Sequence, residues 1–555
     1  MTAEPRHRIA VFSGPTATIQ NTVPLVTSNK ARAKYGLPLR DNADGLRPQR
    51  LAAPVTVYVR QFSAHPLERD AAELYAPPDG YLGTDGVLRA EPAGETDVPV
   101  YEVTLDPQDG LYLLPYMARQ ADGTAWEDDT AYPTAPQHHA RQPFLPDASR
   151  LFEEIDRFGL RHDGLGNGLS SQADYDFIRV APSGGYTTGL AENERTDYGS
   201  GPIEAERPGY DFFTYKPTHL RSDPPRTHIA RIANMVQEAL DSGRYVGGIW
   251  LEGSPNIEET LMWLNVLIDT RLPLCGNSSQ RPHGSLANDG DQNIVDSVNW
   301  ILSRAWADES GANVAGVVAV LDQQVFTARD VQKADARPGG YVATGGHGGV
   351  IGSLGHSPGG PVLTFAPIRR HTYRSSVNLR QLPRSVNGLR GQRVPITDEH
   401  GRLLPTAIPQ VRFVKSARYL PASPEADADG EVEIMARLHR NLQEESLAGF
   451  VAEGGVPAGN MVRVIEVALQ RAIFCGMPVV KVGRGNAEGI SPRSHDGLTI
   501  GGSNLTANKA RILLMAGLMK LGSLPAAQDP DAPTAEETER IRDKVRQFQA
   551  IFDTH

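Results

Sequence analysis

Apolar runs that alternate with helical patterns from residue 223 onward constrain the fold of this chain more than any other feature. Short continuous apolar runs at 245–251 and 316–321 predict strands that are buried on both faces of a sheet. Residues 229–240, 257–269 and 292–305 instead repeat their apolar side chains with the 3.6-residue period of a helix. Strands and helices that alternate in this way form βαβ units, so a mostly parallel sheet is predicted.

A second, smaller α/β pattern occupies residues 432–555. It follows residues 383–431, a proline- and charge-rich stretch that we predict to be a linker. The last helix is predicted to begin with a capping box, because Thr534 precedes Glu537 by three residues. The apolar residues of that helix share one face, which we expect to pack on its own domain.

Residues 37–216 have a different composition. They are rich in Gly, Pro, Asp and Tyr, and strand-like runs at 55–61 and 99–105 are bounded by Asp-Gly turns. One helix is predicted within this stretch, at 149–158. We interpret 37–216 as a β-rich insert or lid that interrupts the α/β pattern.

Composition argues against several classes of protein. Of the 555 residues, 40% are hydrophobic and 22% are charged, which is typical of a globular chain with a sizeable core. The net charge of −11 argues against a general nucleic-acid binder, because phosphate backbones favour clustered Lys and Arg. Cys275 and Cys475 cannot form a disulfide framework, and neither a secretory signal nor a membrane-spanning run is recognised, so a cytoplasmic protein is predicted.

Polar loops after the predicted strands are the candidates for chemistry, because ligands of open parallel sheets bind at the carboxyl ends of the strands. Strand 8–12 is followed by small and hydroxyl-bearing residues that would let a ligand approach the backbone. The other loops of this kind lie at 252–256, 275–279 and 328–333. Four such loops in succession favour a site at one edge of the sheet.

These loops resemble motifs of the bacterial-type asparaginase/glutaminase family. Ser13-Gly-Pro-Thr16 is similar to the family's Thr-Gly-Gly-Thr. The run 252–260, Glu-Gly-Ser-Pro-Asn-Ile-Glu-Glu-Thr, is similar to its His-Gly-Thr-Asp-Thr-Met-Glu-Glu-Thr, and 328–333 to its Ala-Arg-Asp-Val-x-Lys. Further likenesses lie at 287–293, 370–372, 459–461 and 505–515. The resemblance covers residues 6–36 and roughly 217–525.

The resemblance implies an α/β, asparaginase-like two-domain fold. A larger flavodoxin-like N-terminal domain would comprise residues 1–36 and 217–382, and a smaller Rossmann-like C-terminal domain residues 432–555. The β-rich insert at 37–216 would be an addition of this chain. Because the family builds its sites at subunit interfaces, a homodimer or homotetramer is expected. No cofactor is expected, and the scattered histidines predict no catalytic metal.

The resemblance also implies hydrolysis of a small amide through an acyl-enzyme on a hydroxyl group. Thr16 takes the attacking position when the motif is aligned without a gap, whereas a shift of two residues puts Thr18 there. Tyr35 would be its partner, and a carboxylate near Asp496 would assist. Backbone N–H groups of residues 14–16 or of Asn277 would stabilise the oxyanion.

A second set of residues departs from the family at one position. Ser254 keeps a hydroxyl and Lys333 keeps the amine, which can take a proton from a hydroxyl. Pro255, however, stands where the family has an aspartate that also binds the α-amino group of the substrate. Proline offers no side-chain acceptor and no N–H, and an unpaired buried ammonium costs several kcal/mol. We therefore expect little activity on asparagine or glutamine, and a different amide, including cyclic or N-substituted ones, as the substrate.

The remaining candidates are substrate-binding residues at positions that match the family's motifs. Asn460 would reach the site from a neighbouring subunit. The full set is Ser222, Asp223, Gly253, Asn256, Asn277 and Asn460.

Other interpretations of the sequence stay open. A binding protein or pseudoenzyme on the same fold would account for Pro255, and an amidotransferase component would pass ammonia to a partner chain. Residues 355–359 match the G-x-S-x-G elbow of serine hydrolases. A glycine-rich stretch precedes that match and a strand is predicted after it, whereas the elbow needs a strand before it and a helix after it.

Overall fold

The computed structural model describes residues 7–14, 55–59, 80–82, 88–105, 152, 155, 169–179, 226–254, 256–281, 288–337, 339–343, 349–354, 360–416, 424–455, 459–484 and 497–555. The chain divides into two compact units. The first comprises Met1–Pro224, Arg244–Ser254 and Asn277–Val298. The second comprises Pro225–Gly243, Pro255–Gly276 and Asn299–His555.

The described strands are, in chain order, β1 (Arg8–Ser13), β2 (Val55–Val59), β3 (Gly80–Leu82), β4 (Leu88–Arg89), β5 (Val98–Leu105), β6 (Asp174–Arg179), β7 (Gly247–Leu251), β8 (Leu274–Asn277), β9 (Val317–Leu321), β10 (Gln324–Thr327), β11 (Val331–Lys333), β12 (Tyr341–Ala343), β13 (Val350–Ser353), β14 (Val362–Leu363), β15 (Ser385–Asn387), β16 (Arg393–Pro395), β17 (Gln410–Lys415), β18 (Ala448–Gly454), β19 (Val479–Gly483) and β20 (Ile500–Gly501). The described helices are α1 (Leu169–Gln172), α2 (His228–Asp241), α3 (Ile257–Leu267), α4 (Gly290–Ser303), α5 (Pro424–Glu444), α6 (Arg463–Phe474), α7 (Ala507–Leu521) and α8 (Ala535–Thr554). No helix in this described part is long and apolar enough to cross a membrane.

The first unit contains a parallel arrangement of three strands. β1 lies between β6 and β7 and is parallel to both, with Arg8 opposite Asp174 and Ile9 opposite Gly247. Ile9, Ala10, Val11 and Phe12 are fully buried, which is expected for a parallel strand covered on both faces. The continuous apolar runs of β1 and β7 therefore form central strands, as predicted.

The structure differs from the prediction at the insert. β6 lies within 37–216, yet it extends the parallel sheet beside β1. Its sequence, Asp-Tyr-Asp-Phe-Ile-Arg, mixes polar and apolar residues and lacks the continuous apolar run of a central strand. β2–β5 instead form an antiparallel sheet in the order β2-β5-β3-β4, which agrees with the β-rich character predicted for the earlier part of this stretch. The helix predicted at 149–158 lies outside the described residues, apart from residues 152 and 155.

The second unit contains a mixed sheet. β8 and β9 are parallel, and β9 turns back into the antiparallel β10 through Asp322 and Gln323, whose positive φ angles of 49° and 60° suit a two-residue hairpin turn. β10 pairs in antiparallel fashion with β13, and β13 pairs in the same way with β14. α3 packs closely on β8, since a Cβ on Gly276 would lie 2.4 Å from the Leu261 side chain.

A second parallel sheet in this unit has the order β17-β18-β19-β20. The stretch predicted as a linker, 383–431, therefore departs from that prediction: it contains β15 and β16, and β17 forms the first strand of this sheet. The strand β17 was not predicted because this stretch is rich in proline and charged residues. Its side chains Val411 and Val414 are nevertheless buried. α8 carries the predicted capping box of Thr534 and Glu537, and its apolar face is buried.

Candidate functional site

Three chain segments meet at the carboxyl ends of strands in the first unit. The Gly14 N–H donates to the Leu251 carbonyl at 2.8 Å, and the Glu252 N–H donates to the Asn277 carbonyl at 3.1 Å. The segments that follow β1 and β7 therefore leave the sheet side by side, and Asn277 adjoins them. We call Gly14, Glu252 and Asn277 the carboxyl edge. It includes residues from three of the four segments that the sequence predicted as polar loops at one sheet edge, although Asn277 is the last residue of β8 and not a loop residue.

Close packing fixes the geometry of this edge. A Cβ on Gly14 would lie 2.7 Å from Cζ2 of Trp250, so only glycine fits without displacing the indole ring. Trp250 is fully buried, and its Nε1–H donates to the Glu252 carboxylate at 2.8 Å. Glu252 is itself buried, so the edge includes a carboxylate to which the sequence analysis gave no role.

The predicted site residues of the first unit have different surroundings. Gly253 is buried and Ser254 is half-buried, directly beyond β7. The Asn277 amide donates to the Asn293 carbonyl at 3.1 Å and to the Ser297 hydroxyl at 2.9 Å, so its side chain anchors α4. The Gly14 N–H is bonded within the sheet, which removes it from the predicted oxyanion donors.

Several predicted residues lie outside the described residues, and their roles stay predictions. They include both candidate nucleophiles and the partner tyrosine. They are Thr16, Thr18, Tyr35, Ser222, Asp223, Pro255 and Asp496.

The sequence predicted Lys333 to lie in a loop at a strand end. In the structure it lies on a strand of the second unit. It ends β11, where it is paired with Tyr341 of β12, and its Nζ lies 5.2 Å from the centre of the Tyr341 ring. The Lys333 main-chain N–H donates to the Glu258 carboxylate at 2.6 Å. The residue as a whole is half-buried, but the amine nitrogen is buried beside the face of the Tyr341 ring, a setting that stabilises a cation.

The carboxylates nearest to Lys333 in sequence have other partners. Asp330 accepts hydrogen bonds from Arg329 and from the Thr327 hydroxyl, both at 2.7 Å. Asp335 accepts from Arg337, also at 2.7 Å. Beside these hydrogen bonds from Arg337, the charge of Lys333 nevertheless acts on Asp335 and helps to lower the pKa of that carboxyl group.

A fully buried lysine lies behind this strand. Nζ of Lys509, in the first turn of α7, donates to the Glu258 carbonyl at 2.6 Å and to the Ala328 carbonyl at 2.5 Å. Burial lowers the pKa of Lys509 to about 8, and it raises the pKa of Glu258 above its usual value. We call Lys333, Glu258, Ala328 and Lys509 the Lys333 cluster.

Glu258 and Lys509 lie within the family-like runs 252–260 and 505–515, yet the sequence predicted no role for either residue. A signal for Lys509 was present. Lys509 lies three and four residues before Ile512 and Leu513, on the apolar face of the helix that the pattern at 506–521 predicts, where a charged residue must find buried partners. Glu258 offered no comparable signal, because an acidic residue in the first turn of a helix is ordinary.

Asn256 and Asn460, both predicted to bind substrate, are exposed residues of the second unit. The Asn256 carbonyl accepts the Glu259 N–H where α3 begins, and the Asn460 carbonyl accepts the Gly455 N–H. Both backbones are thus anchored. Among the described residues, no group of three or more His, Cys, Asp or Glu side chains could hold a metal ion.

The serine-hydrolase motif at 355–359 lies outside the described residues. β13 precedes it, so a strand stands where the sequence predicted only a glycine-rich stretch. The element after it is the strand β14, whereas the elbow needs a helix.

Part of this chain is similar in sequence to one family of known proteins. Residues 221–344, which include Ser254 and Lys333, match the family model described as "Asparaginase, N-terminal". The glutaminase-asparaginase of Acinetobacter glutaminasificans is 26% identical over 152 residues, which are 27% of this chain and 43% of that protein. The L-asparaginase 2-3 of Saccharomyces cerevisiae is 28% identical over 119 residues, which are 21% of this chain and 32% of that protein.

The chain spans less than half the length of these curated relatives. Among solved structures, the probable cytoplasmic L-asparaginase from Campylobacter jejuni has a TM-score of 0.44 and 19% identity, with 60% of this chain and 85% of that chain covered. Over residues 221–344 this chain is therefore similar to the asparaginase family, and the identity to its curated relatives is low.

Proposed function

We propose that this chain is an amidohydrolase that cleaves a carbon–nitrogen bond of a small amide through an acyl-enzyme on a hydroxyl group. The observation that carries the proposal is the family match over residues 221–344, which contains Ser254 and Lys333. The curated relatives are named as asparaginases and glutaminase-asparaginases. These names support the class of reaction, which is hydrolysis of a carbon–nitrogen bond. They do not give the substrate of this chain.

Thr16 is the proposed nucleophile, with Thr18 as the alternative. Thr16 follows Gly14 by two residues, and the Gly14–Leu251 hydrogen bond keeps the exit of β1 beside the exit of β7, which leads to Ser254. A hydroxyl is a weak nucleophile until a base takes its proton. Tyr35 and Lys333 are the proposed proton acceptors, and Ser254 would orient the amide.

The proposed substrate is an amide other than free asparagine or glutamine. The Pro255 side chain supplies no acceptor for an α-ammonium group, so a substrate without that group avoids an unpaired buried charge. Asn277 would act through its main chain, because its amide is bonded to α4. The other proposed contacts are Ser222, Asp223, Gly253, Asn256 and, from a neighbouring subunit, Asn460. A cytoplasmic homo-oligomer that needs no cofactor completes the proposal.

The test is a panel of L-asparagine, L-glutamine, N-alkyl amides and cyclic imides, followed by NMR detection of the acid product. We expect turnover of an N-substituted or cyclic member and little of asparagine. Lys333→Met and Thr16→Ala should each lower kcat about 100-fold or more, because proton transfer and the nucleophile are lost. Lys415→Met, which changes an exposed lysine, is the control.

Two results would contradict the proposal. Efficient hydrolysis of asparagine would remove the argument from Pro255. Full activity in both Lys333→Met and Thr16→Ala would contradict the proposed catalytic residues. No product from any amide of the panel would contradict the proposed amide hydrolysis.

A further inference from the structure

The main chain of Lys333 is held by a buried carboxylate. Glu258 lies in the first turn of α3 with 6% of its surface exposed, and it accepts the Lys333 N–H at 2.6 Å. A carboxylate accepts a shorter and stronger hydrogen bond than a neutral carbonyl does. This bond fixes the backbone from which the Lys333 side chain extends.

Lys509 holds both sides of the same connection. Its ammonium donates to the carbonyl of Glu258 and to the carbonyl of Ala328, five residues before Lys333. One buried group therefore ties α7 to the first turn of α3 and to the chain that enters β11. If α3 moved relative to that chain, at least one of these bonds would break.

This arrangement is not what packing alone would select. Burial of Lys509 and Glu258 disfavours both charges, and an apolar side chain could fill the same volume. Glu258 interacts electrostatically with Lys333, Lys509 and Glu259, and Lys509 also interacts with Asp330 and Arg329. Buried charges that lower stability but fix one geometry are expected where position matters for function.

We propose that Glu258 and Lys509 are positioning residues that set the place and the reactivity of the Lys333 amine. The inference rests on the proposed function, in which that amine takes a proton from a hydroxyl. Glu258 would act through its bond to the Lys333 backbone and through its charge. Lys509 would act by locking Glu258 and residue 328 together.

The test compares Glu258→Ala with Glu258→Gln, which keeps an acceptor for the Lys333 N–H and removes only the charge. Glu259→Ala is the matched control, because Glu259 is the next residue of the same helix and pairs with Arg511 instead. Acylation of Lys333 by acetic anhydride at pH 8 is measured by peptide mass spectrometry, relative to the exposed Lys415. This readout needs no substrate.

We expect Lys333 to be acylated about threefold faster or more in Glu258→Ala and in Glu258→Gln, because loss of the carboxylate favours the neutral amine. On a hydrolysed amide, Glu258→Ala should lower kcat about tenfold or more with KM changed less than about twofold. Glu258→Gln should recover most of that kcat, and Lys509→Met should behave like Glu258→Ala. Glu259→Ala should match the wild type in both measurements.

The proposal is overturned if folded Glu258→Gln labels like the wild type, and this variant decides even if Glu258→Ala does not fold. It is also overturned if Lys333→Met abolishes activity while Glu258→Ala and Lys509→Met retain it, an outcome that leaves the proposed function intact. If the wild type hydrolyses no amide of the panel, the proposed function fails, whereas the labelling result still decides whether Glu258 controls Lys333.

Discussion

The carboxyl edge of the first unit and the Lys333 cluster of the second hold their residues by different means. At the edge, main-chain hydrogen bonds from Gly14 and Glu252 set the arrangement, and the Trp250 ring fills the space beneath. In the cluster, an ammonium and a carboxylate, both buried, bond to the backbone around Lys333. The carboxyl edge therefore depends on how side chains fill the space around the backbone, and the Lys333 cluster depends on the charges of Glu258 and Lys509.

This difference teaches where each region is vulnerable. A backbone-bonded edge tolerates a change of polar side chains but not an added methyl group where the backbone touches a ring. A region built on buried ionisable groups responds instead to pH and to the loss of a charge. Substitutions that separate volume from charge can therefore break or sharpen the comparison.

The largest effect should come from two buried histidines of the second unit. His371 and His555 are almost fully buried, and burial lowers the pKa of each to about 4 from 6.5. Between pH 6.5 and 4 the unfolded chain binds protons that the folded chain refuses, so stability falls as the pH falls through this window. Each histidine should account for about 3 kcal/mol of unfolding free energy by pH 4.

Urea unfolding of the wild type and of His371→Gln at pH 7 and pH 4 measures this effect. Gln can still donate to the Val314 carbonyl, which lies 3.2 Å from Nε2 of His371, but it does not titrate. The variant should lose about 3 kcal/mol less than the wild type on acidification. Equal losses would mean that His371 is not buried in its neutral form.

A smaller effect is expected at the edge of the first unit. Gly14→Ala places a Cβ 2.7 Å from Trp250 and 3.1 Å from the Leu251 carbonyl, so the ring or the strand must shift. Overpacking of this kind costs about 1–3 kcal/mol, and the cost should be the same at pH 7 and pH 5.

Gly94→Ala is the matched control for Gly14→Ala. It lies in the same unit with nothing within 4 Å of the added methyl group, so its unfolding midpoint should match the wild type. If Gly14→Ala were as stable as this control, the edge would be loosely packed, and the contrast with the Lys333 cluster would fail.

The regular elements of the fold were the most predictable part. The buried strand β9 and the capped helix α8 follow from an apolar run and from the spacing of Thr534 and Glu537, which are local signals. β6 and β17 were missed, because both carry charges and pair only through distant segments. Local composition cannot show a partner that tertiary structure supplies.

The site was predictable as motifs but not as contacts. The sequence put the loops that contain Gly14 and Ser254 at the carboxyl ends of strands of one sheet, and the two strands before them, β1 and β7, are neighbours in the structure. It placed Lys333 in a loop and did not foresee the bond to Glu258, 75 residues away along the chain. Side-chain contacts over such separations depend on how helices pack, which periodicity alone does not specify.

The smallest effect should come from Glu259, beside the cluster. Its pair with Arg511 is about 30% exposed on each side chain, so water already screens much of the attraction. Glu259→Gln should change the unfolding free energy by less than about 1 kcal/mol, and 1 M salt should remove most of that change. Urea unfolding at low and high salt, with the wild type alongside, is the measurement. A loss well above this value, unaffected by salt, would show that Glu259 behaves like a buried group. The reliance on buried charge would then extend beyond Glu258 and Lys509 to the whole first turn of α3.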